Sequence, residues 1–286
     1  MGPRVWWCPT GALSMLPIHA VGHHPRHNTA NTSGVSAAGE GTGVSVLDRV
    51  VSSYTPTLAA LARTREPGTP GPVAQLTVAM PKTPDLPPLP AAAVEVDVLA
   101  RHFPVGGVNA RLVGPDATRE EVLSAITTHP WVHLACHAAQ EHADPSASGF
   151  ALWDGPLTVA DLAARPTRRR DLACLSACQT AAGGVRHLDE AIHLAAAMQF
   201  LGYRHVIATM WTIADPPAPD VADAVYTELT AGGTLDADRA AYALHHAIHA
   251  LRQTDPTDPI RWAPYTPPRS MISNLTVVGL RAHKKR

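Results

Sequence analysis

The sequence predicts an α/β protein with a mostly parallel central sheet and helices on both faces. Three observations carry this. Short, continuous apolar runs recur at Ala74–Met80, Trp131–Ala135, Leu172–Ala177 and His205–Trp211, the pattern of strands buried on both sides. Segments with helix-start signals lie between them. Those segments are of crossover length, as parallel neighbours require.

Taken in order, Val5–Cys8 reads as an opening strand that stops at Pro9-Thr10-Gly11. Residues 21–45, rich in His, Asn, Ser, Gly and Thr, read as a mobile loop. Val46–Val51 and Tyr54–Ala62 read as strand then helix. Thr64–Pro72, with three prolines and two glycines, reads as a linker. The strand Ala74–Met80 follows, then the proline-rich loop Lys82–Pro90. Ala91–His102 suits a helix with Val94, Val96, Val98 and Leu99 inward and Glu95 and Asp97 outward. Thr118-Arg-Glu-Glu121 is a capping-box signature for a helix over 119–128. After the strand ending near His137 come Ala151–Trp153, the turn Asp154-Gly155, and a cap at Thr158 with Asp161. Downstream, Asp189 can cap a helix over 190–201 that Gly202 stops. The strand His205–Trp211, the loop Thr212–Pro219 and helices over 220–230 and 236–252 complete the pattern. Three parts result: an N-terminal part, 1–72; a central region, 73–265; and a tail, 266–286.

Composition narrows the function classes. The 286 residues carry a formal net charge of −1 and 16% charged residues, against roughly 25% in ordinary proteins. No basic stripe points to nucleic acid. Arg168-Arg-Arg170 reads as a solvated loop before a strand, and Lys284-Lys-Arg286 as a tail. No stretch is long and apolar enough to span a bilayer. The four cysteines, Cys8, Cys136, Cys174 and Cys178, have no framework spacing, and the opening residues, without a long apolar run, do not read as a secretory signal. Reduced thiols in a cytoplasm are the expectation.

The chemistry concentrates at two strand ends. Asp171-Leu-Ala-Cys-Leu-Ser-Ala-Cys-Gln-Thr180 places Cys178 where an apolar strand gives way to polar and glycine residues. Trp131-Val-His-Leu-Ala-Cys-His137 ends likewise on His137. Functional groups in open parallel sheets collect outside the carboxyl ends of the strands, so the two form a candidate nucleophile pair. His133 shares the face of His137 and reads as structural or supporting; Cys136 faces the other way. Cys174 shares the face of Cys178 but lies deeper, and Cys136 and Cys174 both read as core.

His133-Leu-Ala-Cys-His137 and Leu175-Ser-Ala-Cys-Gln-Thr180 resemble the two catalytic signatures of CHAT domains, bacterial and eukaryotic relatives of caspases and separases. Trp6–Gly11, Ser53–Pro56, Gly202–Trp211 and Trp262–Tyr265 fit the same pattern in the same order. The resemblance implies a caspase-like fold and a cysteine endopeptidase acting on protein substrates without a cofactor. It puts the nucleophile at Cys178 and the acid/base at His137. An oxyanion would be held by the backbone N–H groups of Ala138 and Cys178. The family pattern carries glycine where this chain has Ala138; alanine keeps the N–H but not the backbone freedom.

Other readings stand beside this one. A strand-end cysteine is often a small core residue. Two i,i+4 pairs, His133/His137 and Cys174/Cys178, suggest a metal site, but strand geometry spaces each pair about 13 Å apart, so no metal is expected. An inactive, caspase-shaped scaffold for protein partners is the stronger rival, since Thr266–Ser270 and Ile272–Leu280 depart from the family pattern. Asp215, in the loop after Trp211, is a candidate for a substrate pocket, although an aspartate before Pro-Pro is more often simple turn chemistry. Low basal activity and an activating protein partner that orders the 21–45 loop or the crevice are expected.

Overall fold

A computed structural model describes residues 2–9, 13, 16–24, 44–55, 61, 74–103, 108–139, 145–165, 170–176, 194–195, 197–199, 201–211, 217–233 and 235–266. Near the N-terminus, β1 (Arg4–Trp7) and β2 (Val51–Tyr54) pair in parallel as a sheet of their own. Next come β3 (Ala74–Ala79), helix α1 (Pro90–Arg101), β4 (Val108–Val113), α2 (Arg119–Ile126) and β5 (Trp131–Ala135). Three short strands, β6 (Ala138–Ala139), β7 (Gly149–Leu152) and β8 (Gly155–Thr158), form a small antiparallel sheet. Then follow α3 (Val159–Ala163), β9 (Leu172–Ser176), β10 (His205–Thr209), α4 (Ala218–Thr230), α5 (Ala240–Thr254), α6 (Pro259–Trp262) and β11 (Tyr265–Thr266).

The main sheet has the order β11-β10-β9-β5-β3-β4. Five strands are parallel, and β11 runs antiparallel along β10. From β3 the chain steps outward to β4, returns past β3 to β5, and continues the other way to β9 and β10. The reversal falls between β3 and β5, and the carboxyl ends of the strands at such a point are where open α/β sheets bind ligands.

Alternation along the strands divides the core. Leu76, Val78, Val132, Leu134, Ala173, Leu175, Val206 and Ala208 pack on one face with Val122, Leu123 and Ile126 of α2 and Leu162 of α3. Trp131, Leu172, Cys174 and Ile207 face the other way, against α4 and α5. Ala79 and Ala135 meet Ala92 and Val96 of α1. The helices therefore cover both faces, as the uninterrupted apolar strands require.

Several expectations change. Val46–Asp48 is a single 3-10 turn rather than a strand, because the Ser45 N–H donates to Asp48 Oδ2 at 2.7 Å and closes a capping box. The strand begins at Val51. Tyr54 belongs to that strand and not to a helix, Leu61 is helical, and 56–60 and 62 lie outside the described residues. Arg170 is not solvated: its guanidinium is buried, donates to the carbonyls of Leu201 and Arg165, and lies over the Tyr203 ring. On α1 the inward and outward sets differ by one step: Val94 is 51% exposed, whereas Glu95 is 1% exposed. Glu95 turns inward because the sheet offers its carboxylate two polar partners. Asp189, 190–193 and the tail from 267 onward lie outside the described residues.

Candidate active site

His137 leaves the sheet two residues after β5 and is 4% exposed. Its backbone carbonyl accepts the Ala151 N–H at 2.8 Å, which ties the start of β6 to β7. Its Nε2 lies 2.7 Å from the carbonyl oxygen of Pro87, in the loop between β3 and α1. A carbonyl only accepts, so Nε2 carries the proton, and in the neutral ring the lone pair is on Nδ1. That loop is held closed by Leu86 N–H to Thr83 O and by Leu89 N–H to Pro81 O. Asp85, at positive φ (62°), makes its turn.

Ala138 pairs with Phe150 across β6 and β7. The flanking bond from Ala151 N–H to His137 O makes this the non-hydrogen-bonded type of antiparallel pair. The Ala138 N–H therefore points away from β7. Ala138 keeps a negative φ, so the side chain costs no backbone strain where the family pattern has glycine.

Cys178 and Asp215, the other two candidates, lie outside the described residues. The strand that leads to Cys178 is described. β9 lies directly beside β5, with Ala135 opposite Ser176. His137 follows the first of these by two residues, and Cys178 follows the second by two.

Beneath the strand ends lies a buried polar cluster. His133 on β5 is wholly buried, and its Nε2–H donates to Glu95 Oε2 at 2.8 Å. Ser176 Oγ donates to Glu95 Oε1 at 2.9 Å. Cys174 pairs with His133 across the ladder, and the Tyr226 hydroxyl lies 3.5 Å from His133 Nδ1. Gln75 Nε2 donates to Thr77 Oγ1, which donates to Asn109 Oδ1. Burial disfavours the His133 cation, but Cys174 and Glu95 beside it outweigh that and push its pKa up to about 10. Cys136 and Cys174 lie in the core on opposite faces, as strand alternation requires, and His133 is buried and bonded to Glu95.

Sequence reasoning missed Glu95. The signal was present: Ala91, Ala92, Glu95, Val98 and Leu99 lie at helical spacing on one stripe, with Glu95 at its centre. Among the described residues, no group of three His, Cys, Asp or Glu side chains could hold a metal ion. Among the same residues, no helix is long and apolar enough to cross a membrane.

A family model described as CHAT domain matches residues 1–270. Among solved structures, the chain is similar to the Arg specific cysteine proteinase gingipain R. The identity is 11% and the TM-score 0.50, over 77% of this chain and 54% of that one. It is similar also to a complex of the RgpB pro- and mature domains from Porphyromonas gingivalis. There the identity is 10% and the TM-score 0.50, over 76% of this chain and 54% of that one. The chain thus spans about half the length of these solved chains, and at such identity the likeness is one of fold. No curated protein matches the sequence.

Proposed function

The chain belongs to the CHAT domain family, and on that premise we propose that it is a cysteine endopeptidase using Cys178 and His137 on protein substrates. The observation that supports this most is the placement of His137. A polarised imidazole with a fixed tautomer stands at the sheet's switch point, beside the strand that runs on to Cys178.

In this reading the Cys178 thiol passes its proton to His137 Nδ1, and the thiolate attacks the scissile carbonyl carbon. The resulting imidazolium keeps its Nε2–H on the Pro87 carbonyl, a bond that strengthens when the ring is charged. The oxyanion is met by the N–H groups of Ala138 and Cys178. Collapse breaks the C–N bond, Nδ1–H protonates the leaving amine, and a thioester remains. Water, deprotonated by Nδ1, hydrolyses the thioester and restores the thiol. Neither step draws on a cofactor. The thiol must stay reduced, which fits a cytoplasmic setting.

Cys178→Ala should abolish cleavage of substrates found by proteome-wide labelling of new N-termini, with the fold retained by circular dichroism. Cleavage at the wild-type rate in that variant overturns the assignment. Low turnover by the purified chain, rising with an activating protein partner, is expected as well; full turnover by the chain alone contradicts such control.

A further inference from the structure

We infer that Glu95 is a positioning residue for the proposed Cys178/His137 pair, acting through Ser176 on β9 and His133 on β5. This rests on the endopeptidase reading above. One short segment, from Pro87 to Glu95, bonds to both strand ends that carry the pair. The Pro87 carbonyl holds the His137 ring at 2.7 Å. Eight residues on, the two oxygens of Glu95 divide between the strands, with Oε2 on His133 at 2.8 Å and Oε1 on Ser176 at 2.9 Å. His133 precedes His137 by four residues, and Ser176 precedes Cys178 by two.

The chemistry of the site favours a positional role over a purely stabilising one. A buried ion pair adds little net stability compared with apolar residues of the same volume, because both charges must leave water. What it adds is a defined geometry: a carboxylate with one oxygen on each of two adjacent strands pins α1 against both of them and ties the end of β9 to β5 through side chains. Glu95 also sits inside a helix, so its backbone is fixed before the side chain reaches the sheet. Loss of the Ser176 bond leaves the last residue of β9 held by its backbone pairing with Ala135 alone, and in the proposed pair this loosens the lead-in to Cys178. The thiol then loses the imidazolium that favours its thiolate.

The test uses the full chain and limiting iodoacetamide, with Cys178 modification followed by peptide mapping at about pH 6.5 and about pH 9.5, either side of the ordinary thiol pKa near 8.5. Ser176→Ala should slow Cys178 alkylation by about tenfold at the lower pH and leave it unchanged at the higher, where the thiolate forms without help. Ser176→Thr, which keeps the hydroxyl, should stay within about twofold of wild type at both. In a Glu95→Gln background, Ser176→Ala should add less than about twofold, because the two act as one unit. An unchanged rate in Ser176→Ala at the lower pH overturns the proposal. Equal slowing at both pH values, failure of threonine to rescue, or full additivity with Glu95→Gln does so too. His137→Ala separates this inference from the reading it rests on. If that variant slows the low-pH rate and Ser176→Ala does not, the pair stands and the positioning role falls. If His137→Ala has no effect, both fall together.

Discussion

Cys8 is exposed beside a proline, whereas Cys136 and Cys174 are buried on opposite faces of the sheet. Thiol reactivity needs both thiolate and access, so burial protects Cys136 and Cys174 whatever their ionisation. In the proposed dyad, Cys178 gains thiolate from His137. With limiting iodoacetamide at about pH 6.5, two units below the ordinary thiol pKa, the expected order is Cys178, then Cys8, with Cys136 and Cys174 unmodified until the protein unfolds. Peptide mapping in native buffer and in denaturant reads this order directly. Cys8 reacting ahead of Cys178 would mean that no activated pair forms, and the scaffold reading would then be preferred.

The hairpin that follows His137 depends on two local devices. Gly149 on β7 lies so close to β8 that an added Cβ would sit 2.1 Å from the Leu157 carbonyl oxygen, and Gly155 turns the chain at φ +131°. At the far end of β8, Thr158 caps α3. Its Oγ1 accepts from Asp161 N–H at 3.1 Å, while the Thr158 N–H donates to Asp161 Oδ2 at 3.0 Å. Asp161 also receives Arg119 of α2 at 3.0 Å, which links the two helices. Thr158→Ala should lower unfolding stability by about 1 kcal/mol, the usual worth of an N-cap, measured by denaturant titration. Gly149→Ala should cost more, since backbone rather than a flexible side chain must move. It should also weaken any peptidase activity, because the Ala151 N–H that holds the His137 carbonyl lies two residues away. A Gly149→Ala protein as stable as Thr158→Ala would contradict this ranking.

Histidines shape how the whole molecule responds to pH. His19, completely buried, joins the N-terminal unit through the Tyr54 hydroxyl, which lies 2.7 Å from Nδ1. Burial lowers its pKa to about 4. His245 on α5 is lowered to about 4 as well, by burial first and then by the charges of His246 and His249. Both are neutral when folded and take up protons on unfolding near pH 6.5. Their contribution is therefore present above about pH 6.5 and is lost as pH falls towards about 4. Asp48 is held below the usual carboxylate range by Arg252, which extends this loss to lower pH. His133 has the opposite sign. With its folded pKa raised to about 10, its contribution is present below about pH 6.5 and lost as pH rises through about 10. The melting temperature should thus peak near neutrality and fall on both sides. His19→Gln, which takes up no proton, should flatten the acid limb and leave the alkaline limb alone; an unchanged acid limb would mean that His19 does not contribute to the loss of stability in acid.

The sequence by itself determined the layer architecture, because strand burial and helix capping are local patterns. Mostly apolar runs such as Trp131–Ala135 and Leu172–Ser176 have no continuous polar face to give to water, so helices must cover both sides. Thr118 and Thr158 mark their helix starts through bonds three residues long. Strand parity placed His133, Cys136 and Cys174 on their correct faces, since alternation is exact to one residue. Tertiary structure decided where charge could go. Glu95 reads as a solvent residue between two valines until the fold brings His133, 38 residues away, and Ser176, 81 residues away, to its carboxylate. Arg170 reads as part of a solvated run until the carbonyls of Leu201 and Arg165 converge on it. The Pro87 carbonyl that fixes the His137 tautomer is likewise 50 residues distant and belongs to the backbone, which residue identity does not report. A buried charge is tolerated only where its partners are already in place, and partners so far apart along the chain meet only in the folded molecule.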